Sequence, residues 1–463
     1  MRVPAAVLSS CLLVACAGSS GSLPPAGSPL AAEALAARCN ALVDRALGDN
    51  RAMQTLAALL AAAPKRLSGS PGDADAVRWG LATMREIGLE NVRAEPCKVP
   101  CWVRGTETAA VVGDGAVPLR VTALGGSIAT AEGGIEAEVV EVRSFEQLQQ
   151  MGEAARGKIV FFNRPMPRIL RRTGQAYGAA VPQRSNGAIE AGKVGGVAAL
   201  VRSMTTTVDG HPHTGVMHYD DAVPKVPAAA IATADAEALA ALLQRGPVRV
   251  RLELGCETRP EVESANVVGE LRGGSRPDEV VVIGGHLDAW DLGRGAHDDG
   301  AGVAHVLEAV RLLKVCGVRP ARTIRVVLFA CEEFGLHGAT AYAEQHAAEL
   351  GQHVAAMETD AGGFTPQGFS TSLTGDDAEA VRRLFAPLAE LGAGAVLPGA
   401  GACGADLTPM HAAGVTCFGL VVDGHRYFDY HHSALDDLAA VNERELALGA
   451  AVVAYAASVL ADR

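Results

Sequence analysis

The sequence predicts an α/β fold, a mostly parallel mixed sheet covered by helices on both faces, with a β-rich domain inserted into it. Three observations carry that expectation. From residue 266 onward, short and almost continuously apolar runs alternate with segments of helical periodicity. Such strands are buried on both faces, the setting of parallel sheets. Between residues 109 and 255 the texture differs, with brief β-like runs set among frequent glycines. The chain has 463 residues, 49% hydrophobic and 4% aromatic; that is too apolar for disorder and long enough for more than one core.

The first sixteen residues read as an export signal. Met1 and Arg2 give a positive head, an apolar run follows, and Leu13-Val14-Ala15-Cys16 resembles a bacterial lipobox whose Cys16 would carry a lipid. Residues 17–30, rich in Gly, Ser and Pro, are expected to form a linker. An exported, lipid-anchored envelope protein is therefore expected, or else a periplasmic or secreted one. Membrane contact is expected only through Cys16, because no later apolar stretch is long enough to span a bilayer.

Residues 30–63, rich in Ala and Leu and ended by Pro64, are expected to form one helix, and residues 73–87 a second, stopped by Gly88. Strands are expected at 109–112, 139–142, 158–162, 195–201 and 248–254, with a loop at 209–218. A strand at 279–284 precedes Val303, Val306, Leu307, Val310 and Leu313, which recur at helical spacing. Strands at 324–331, 354–357 and 415–422 then alternate with helices at 338–349, 377–391 and 443–460. The expected domains are 31–108 with 256–463, and an insert at 109–255.

Charge narrows the partners. Forty Lys and Arg face 52 Asp and Glu, a net charge of −12, with no basic run to hold phosphates; nucleic acid is not an expected partner. Eight cysteines lie beyond the leader and show no zinc-ribbon spacing. Cys331, inside an apolar run, is expected to be a buried thiol.

In parallel sheets ligands gather beyond the carboxyl ends of the strands. Here those ends carry His286 and Asp288, Glu332 and Glu333, then Glu358 and Asp360. Asp298 and Asp299 open a helix, and His431 and His432 follow the last strand. Each alone is ordinary for a loop, a cap or a solvated pair. Together they crowd acids where divalent cations must neutralise them, and His with carboxylate is zinc-like chemistry. Five ligands plus one spare glutamate form the inventory for hydrolysis assisted by two metals. No G-x-S-x-G elbow and no H-E-x-x-H helix occurs. The match of residues 399–404 to G-x-G-x-x-G follows no strong strand and is followed by Pro409, so no dinucleotide site is expected.

The runs Gly284-Gly285-His286-Leu287-Asp288-Ala289-Trp290-Asp291 and Gly295-Ala296-His297-Asp298-Asp299-Gly300 resemble the co-catalytic di-zinc exopeptidase family of bacterial leucyl aminopeptidases and glutamate carboxypeptidases. Trp290-Asp291 and His431-His432-Ser433 are most similar to its plasma glutamate carboxypeptidase branch, and residues 157–160 resemble a protease-associated insert. The resemblance implies two Zn²⁺ per chain held by His286, Asp298, Glu333, Asp360 and His432, with Asp298 as the bridge. It further implies Glu332 as general base, Asp288 holding the His286 ring, a cis Asp298–Asp299 peptide, short peptide substrates and a homodimer.

His431 either polarises the substrate carbonyl or only packs, His297 is expected to be a bystander, and Asp406 either meets substrate or caps a helix. His211, His213 and His218 are expected to be solvated loop residues. The branch's usual Thr after the last motif is missing, which leaves His432 without an expected hydrogen-bond partner. A non-catalytic receptor and a single-zinc cyclase-like transferase stay open as other readings. So does the end of the peptide that is read: a carboxypeptidase needs a cation for the terminal carboxylate, and neither Arg294 nor any other is singled out.

Overall fold

The computed structural model describes residues 29–113, 116–401 and 403–463. The export signal, Cys16 and all but the end of the linker lie outside the described residues.

Eight strands form the main sheet, in the order Glu90–Val103, Glu257–Leu271, Arg322–Phe329, Arg276–His286, His353–Glu358, Cys417–Val422, Pro366–Thr371, Ala395–Pro398. Arg276–His286 runs parallel to both its neighbours, and His353–Glu358 is parallel to Cys417–Val422. These central strands are the apolar runs of the sequence, fully buried from Val280 to His286 and from Thr323 to Phe329. Helices Ala301–Val315 and Glu443–Asp462 pack together on one face, where Val303, Val306, Leu307 and Val310 join the largest core cluster. His337–Gln345 and Thr408–Ala412 lie over the other face, beside Val282, Phe329 and Met410.

Local chemistry explains where the elements depart from expectation. The single helix expected over 30–63 is two, Pro29–Gly48 and Ala52–Ala62. Between them Asn50 Oδ1 accepts from the Ala52 N–H (3.0 Å), and Arg311 donates to the Asp49 carbonyl oxygen (2.7 Å). The helix expected over 377–391 stops at Leu384 because Pro387 cannot continue it, and a 3₁₀ turn follows. Gly88 ends helix Pro71–Ile87 at φ 80°, as its position implies.

Among the strands that the sequence reading missed are the two longest, Glu90–Val103 and Glu257–Leu271, which pair antiparallel along most of their length. They alternate charged and apolar residues instead of forming an apolar run, and they carry the chain into and out of a second sheet. That sheet also has eight strands, drawn from residues 107–254, with a parallel centre of Ile135–Val142, Ile159–Phe162, Ala198–Arg202 and Ala228–Ile231.

The two sheets meet above the carboxyl ends of the main one. Trp290 and Leu67 enter the core of the second unit. Arg104 donates through Nε (3.0 Å) and Nη2 (2.6 Å) to the Asp291 carboxylate. The segment around Thr214 reaches His431 and His432.

Candidate metal centre

His286, Glu333 and Asp360 sit where central strands stop, while Asp298 lies on the turn that opens helix Ala301–Val315 and His432 just beyond helix Tyr427–Tyr430. His286 is the last residue of its strand, fully buried, with Nε2 3.1 Å from Asp298 Oδ1 and 3.8 Å from Asp360 Oδ1. Asp360 follows strand His353–Glu358 by two residues. On the other side of the Asp298 carboxylate, Oδ2 lies 3.2 Å from His432 Nε2, which is itself 3.1 Å from Glu333 Oε2. His286, Asp298, Glu333, Asp360 and His432 thus come together, with Asp298 facing both halves.

The loop carrying Asp298 is held by its backbone. Its peptide bond to Asp299 is cis, as the resemblance implies. The N–H groups of His297 (2.7 Å) and Asp298 (3.1 Å) donate to the buried Asp436 carboxylate. Asp299 also offers an oxygen to a group with His286 and Asp360. Its carboxylate, however, accepts from the His286 and Gly302 N–H groups, both at 3.1 Å, so it acts as a brace.

Asp288 grips more than the His286 ring. His286 Nδ1 lies 3.1 Å from the Asp288 carbonyl oxygen and 3.6 Å from carboxylate Oδ1. The carboxylate accepts from Ser68 Oγ (2.6 Å), the Glu332 N–H (3.0 Å) and the Glu333 N–H (3.4 Å). It therefore clamps the turn that presents the two glutamates. Trp290 Nε1 donates to Glu333 Oε2 at 2.5 Å and orients that side chain. Glu332 makes no side-chain hydrogen bond among the described residues.

Electrostatics follows from the crowding. Burial opposes charge on His286, but the Asp288, Asp298 and Asp360 carboxyls outweigh it and raise the ring well above its usual range. Burial opposes ionisation of Asp298 too, yet His286 and His432 hold it well below the usual carboxylate range. Burial, with Glu333 and Asp360 nearby, pushes Glu332 well up. Glu358 rises to about 8 through burial and then Asp360. Asp406, wholly buried against Glu358, has no hydrogen-bond partner on either oxygen. It is an inner member of this acid cluster, without a cap's hydrogen bond.

The donor set fits a resident metal. Glu333 Oε1 and Asp360 Oδ1 are buried and unpartnered, a costly state that a cation relieves. His286, Asp298 and Glu333 offer atoms within 4.8 Å of one another, as do Asp298, His431 and His432. Mixed imidazole and carboxylate donors suit zinc.

Several partners had no sequence signal. Arg66, fully buried, donates to the carbonyl oxygens of Leu287 (2.6 Å), Arg294 and Gly295 (2.8 Å), pinning the loops behind the ligands. The partner that His432 was expected to lack comes from the second sheet: its Nδ1 lies 3.3 Å from the Thr214 carbonyl oxygen. His213, expected in solvent with His211 and His218, is 1% exposed, and its Nδ1 donates to the His431 carbonyl oxygen at 2.6 Å. His431 stacks on His432, ring centroids 3.5 Å apart, with Nε2 3.7 Å from Asp298 Oδ2. His297 stacks on Phe364 at 4.2 Å and accepts from the Gly363 N–H, away from the ligands.

Comparison with known proteins gives the family. The profile described as "Peptidase family M28" matches residues 266–457. Carboxypeptidase Q of Mus musculus is 39% identical over 416 residues, covering 89% of this chain and 86% of the relative; that of Homo sapiens is 37% identical over 414 residues with the same coverage. The solved peptidase M28 precursor from Shewanella amazonensis superposes with a TM-score of 0.90 at 38% identity, covering 93% of this chain and 97% of the other. A zinc aminopeptidase from Bacillus subtilis shares the fold, with a TM-score of 0.65 at 20% identity over 88% of this chain and 93% of its own.

Proposed function

The chain belongs to peptidase family M28 and is a metallo-exopeptidase; from that premise we propose that it cleaves terminal bonds of short peptides at a site holding two zinc ions, with Glu332 as general base. One observation carries the reading. The two oxygens of Asp298 face separate donor pairs, His286 with Asp360 and Glu333 with His432. A carboxylate shared in that way is what a pair of cations requires. Zinc bound there would supply Lewis acidity and allow water to ionise near neutral pH.

The remaining work falls to the side chains. Glu332, whose carboxylate makes no hydrogen bond among the described residues and whose N–H is fixed to Asp288, takes the proton of the attacking water and returns it to the leaving amine. Its raised pKa suits both halves of that exchange. Asp288 keeps Glu332 and Glu333 in register, and Trp290 keeps Glu333 aimed at Asp298 and His432. His431, packed edge-on by Tyr177, would stabilise the carbonyl oxygen as charge grows on it. The second sheet, read as a protease-associated insert, roofs the site and braces His432 through Thr214.

Replacing Glu332 with Gln should leave about two zinc ions per chain by elemental analysis while lowering kcat on dipeptides by roughly 10³-fold. Full activity would remove Glu332 from the mechanism, and one zinc per chain would remove the two-metal site. Export with a lipid on Cys16 belongs to the same reading. Metabolic labelling with a palmitate analogue should mark the wild-type chain in bacteria and not Cys16→Ala; an unlabelled wild type refutes the anchor.

A further inference from the structure

Five arginines are buried among the described residues, and four of them are answered. Arg66 meets three carbonyl oxygens, and Arg104 meets Asp291 and Glu107. Arg202 meets Asn163 and Glu237, and Arg325 meets Glu270. The fifth, Arg184, is 6% exposed on helix Pro182–Lys193, and its Nε and Nη1 are buried with no hydrogen-bond partner. A guanidinium keeps its proton, so a buried one without a counter-ion is costly until an anion reaches it.

Its surroundings lead to the residues that flank the candidate metal centre. Arg184 Cζ lies 5.4 Å from the Tyr177 ring centroid, and the Tyr177 ring meets His431 edge-on at 5.3 Å. The guanidinium also rests against Gly215, where a Cβ would come within 2.3 Å of Nη1. Gly215 follows Thr214, whose N–H donates to the His432 carbonyl oxygen (2.9 Å). His431 Nδ1, within the same cluster, is likewise buried and unpartnered. The alternative cation raised by the sequence, Arg294, is already engaged by Asp437.

Resting on the exopeptidase reading above, we propose that Arg184 receives the C-terminal carboxylate of the substrate, so that the chain acts on peptides with a free carboxyl end. The planar fork matches a carboxylate through two parallel N–H donors, and an amidated end offers no charge to neutralise. Arg184 belongs to the second unit and the metal ligands to the first, so the specificity arises only where the two units meet.

The test compares a dipeptide with its C-terminal amide on zinc-loaded protein. Wild type should favour the free acid by about 100-fold in kcat/KM, a loss typical of leaving a buried charge unpaired. Arg184→Gln should lower kcat/KM for the acid by a similar factor, leave the amide within about threefold, and act mainly through KM. Arg184→Lys should recover part of the loss on the acid alone. Equal losses on acid and amide, or none on either, overturn the assignment. Calorimetry on wild type adds a readout free of turnover and of any folding defect in the variants: leucine should bind and leucinamide should not, and equal affinity overturns the proposal. A zinc-loaded wild type that cleaves no peptide sinks the exopeptidase reading itself. One that cleaves acid and amide alike sinks only the role of Arg184.

Discussion

Burial decides what each histidine of this chain does. Burial opposes charge on His286 and His432, but the carboxylates around them raise both rings well above the usual imidazole range. His213 and His297 are pushed down to about 4 by burial, and His305 to about 3. His305 has neither ring nitrogen hydrogen-bonded, and it lies against Gly449 between helices Ala301–Val315 and Glu443–Asp462. Because its folded pKa lies below the unfolded value near 6.5, its neutral form stabilises the fold fully above that pH. The contribution is lost as pH falls toward 3. His305→Leu should therefore flatten the acid limb of stability, gaining about 2 kcal/mol over wild type at pH 5 relative to pH 8. Urea titrations at both pH values measure this, and parallel losses in the two proteins would contradict it. No local feature of the sequence separates His213 from His211; only the path of the 209–218 loop takes one inward and leaves the other near the surface.

At the scale of elements, legibility followed burial pattern. Strands Arg276–His286, Arg322–Phe329 and His353–Glu358 are apolar because helices cover both faces, and each could be read directly with the ligand at its end. Strands Glu90–Val103 and Glu257–Leu271 could not, since the first alternates exposed and buried positions and the second begins fully exposed. Their pairing supplies what their composition does not. Helix Pro71–Ile87 was legible at its Gly88 end, but it starts two residues before the expected Asp73, where Ser70 Oγ accepts from the Asp73 N–H. The break at Asp49–Arg51 was not, because it is set by Arg311 and Glu308 from a helix some 260 positions away in sequence.

The whole molecule is a site closed between two sheets, and one ion pair carries much of the join. Arg104, 9% exposed, donates to Asp291 beside Trp290, to Glu107, to Thr122 and to the Ala123 carbonyl oxygen. Removing it strands Asp291 and Glu107. Arg104→Met should cost about 3 kcal/mol and uncouple the units, giving two transitions in denaturation where wild type gives one. A single transition at unchanged midpoint would show that the apolar contacts of Trp290 and Leu67 suffice. The sequence by itself determined the alternating α/β order and the strand-end positions of His286, Glu332, Glu333 and Asp360, because these depend on burial along one strand; the cis Asp298–Asp299 peptide was implied only by the family resemblance. Tertiary structure alone decided that Asp298 stands between two donor pairs, that Thr214 supports His432, and that Arg184 is left without a counter-ion. Those are contacts between segments as much as 218 positions apart, and no local pattern records which distant group will complete a buried charge.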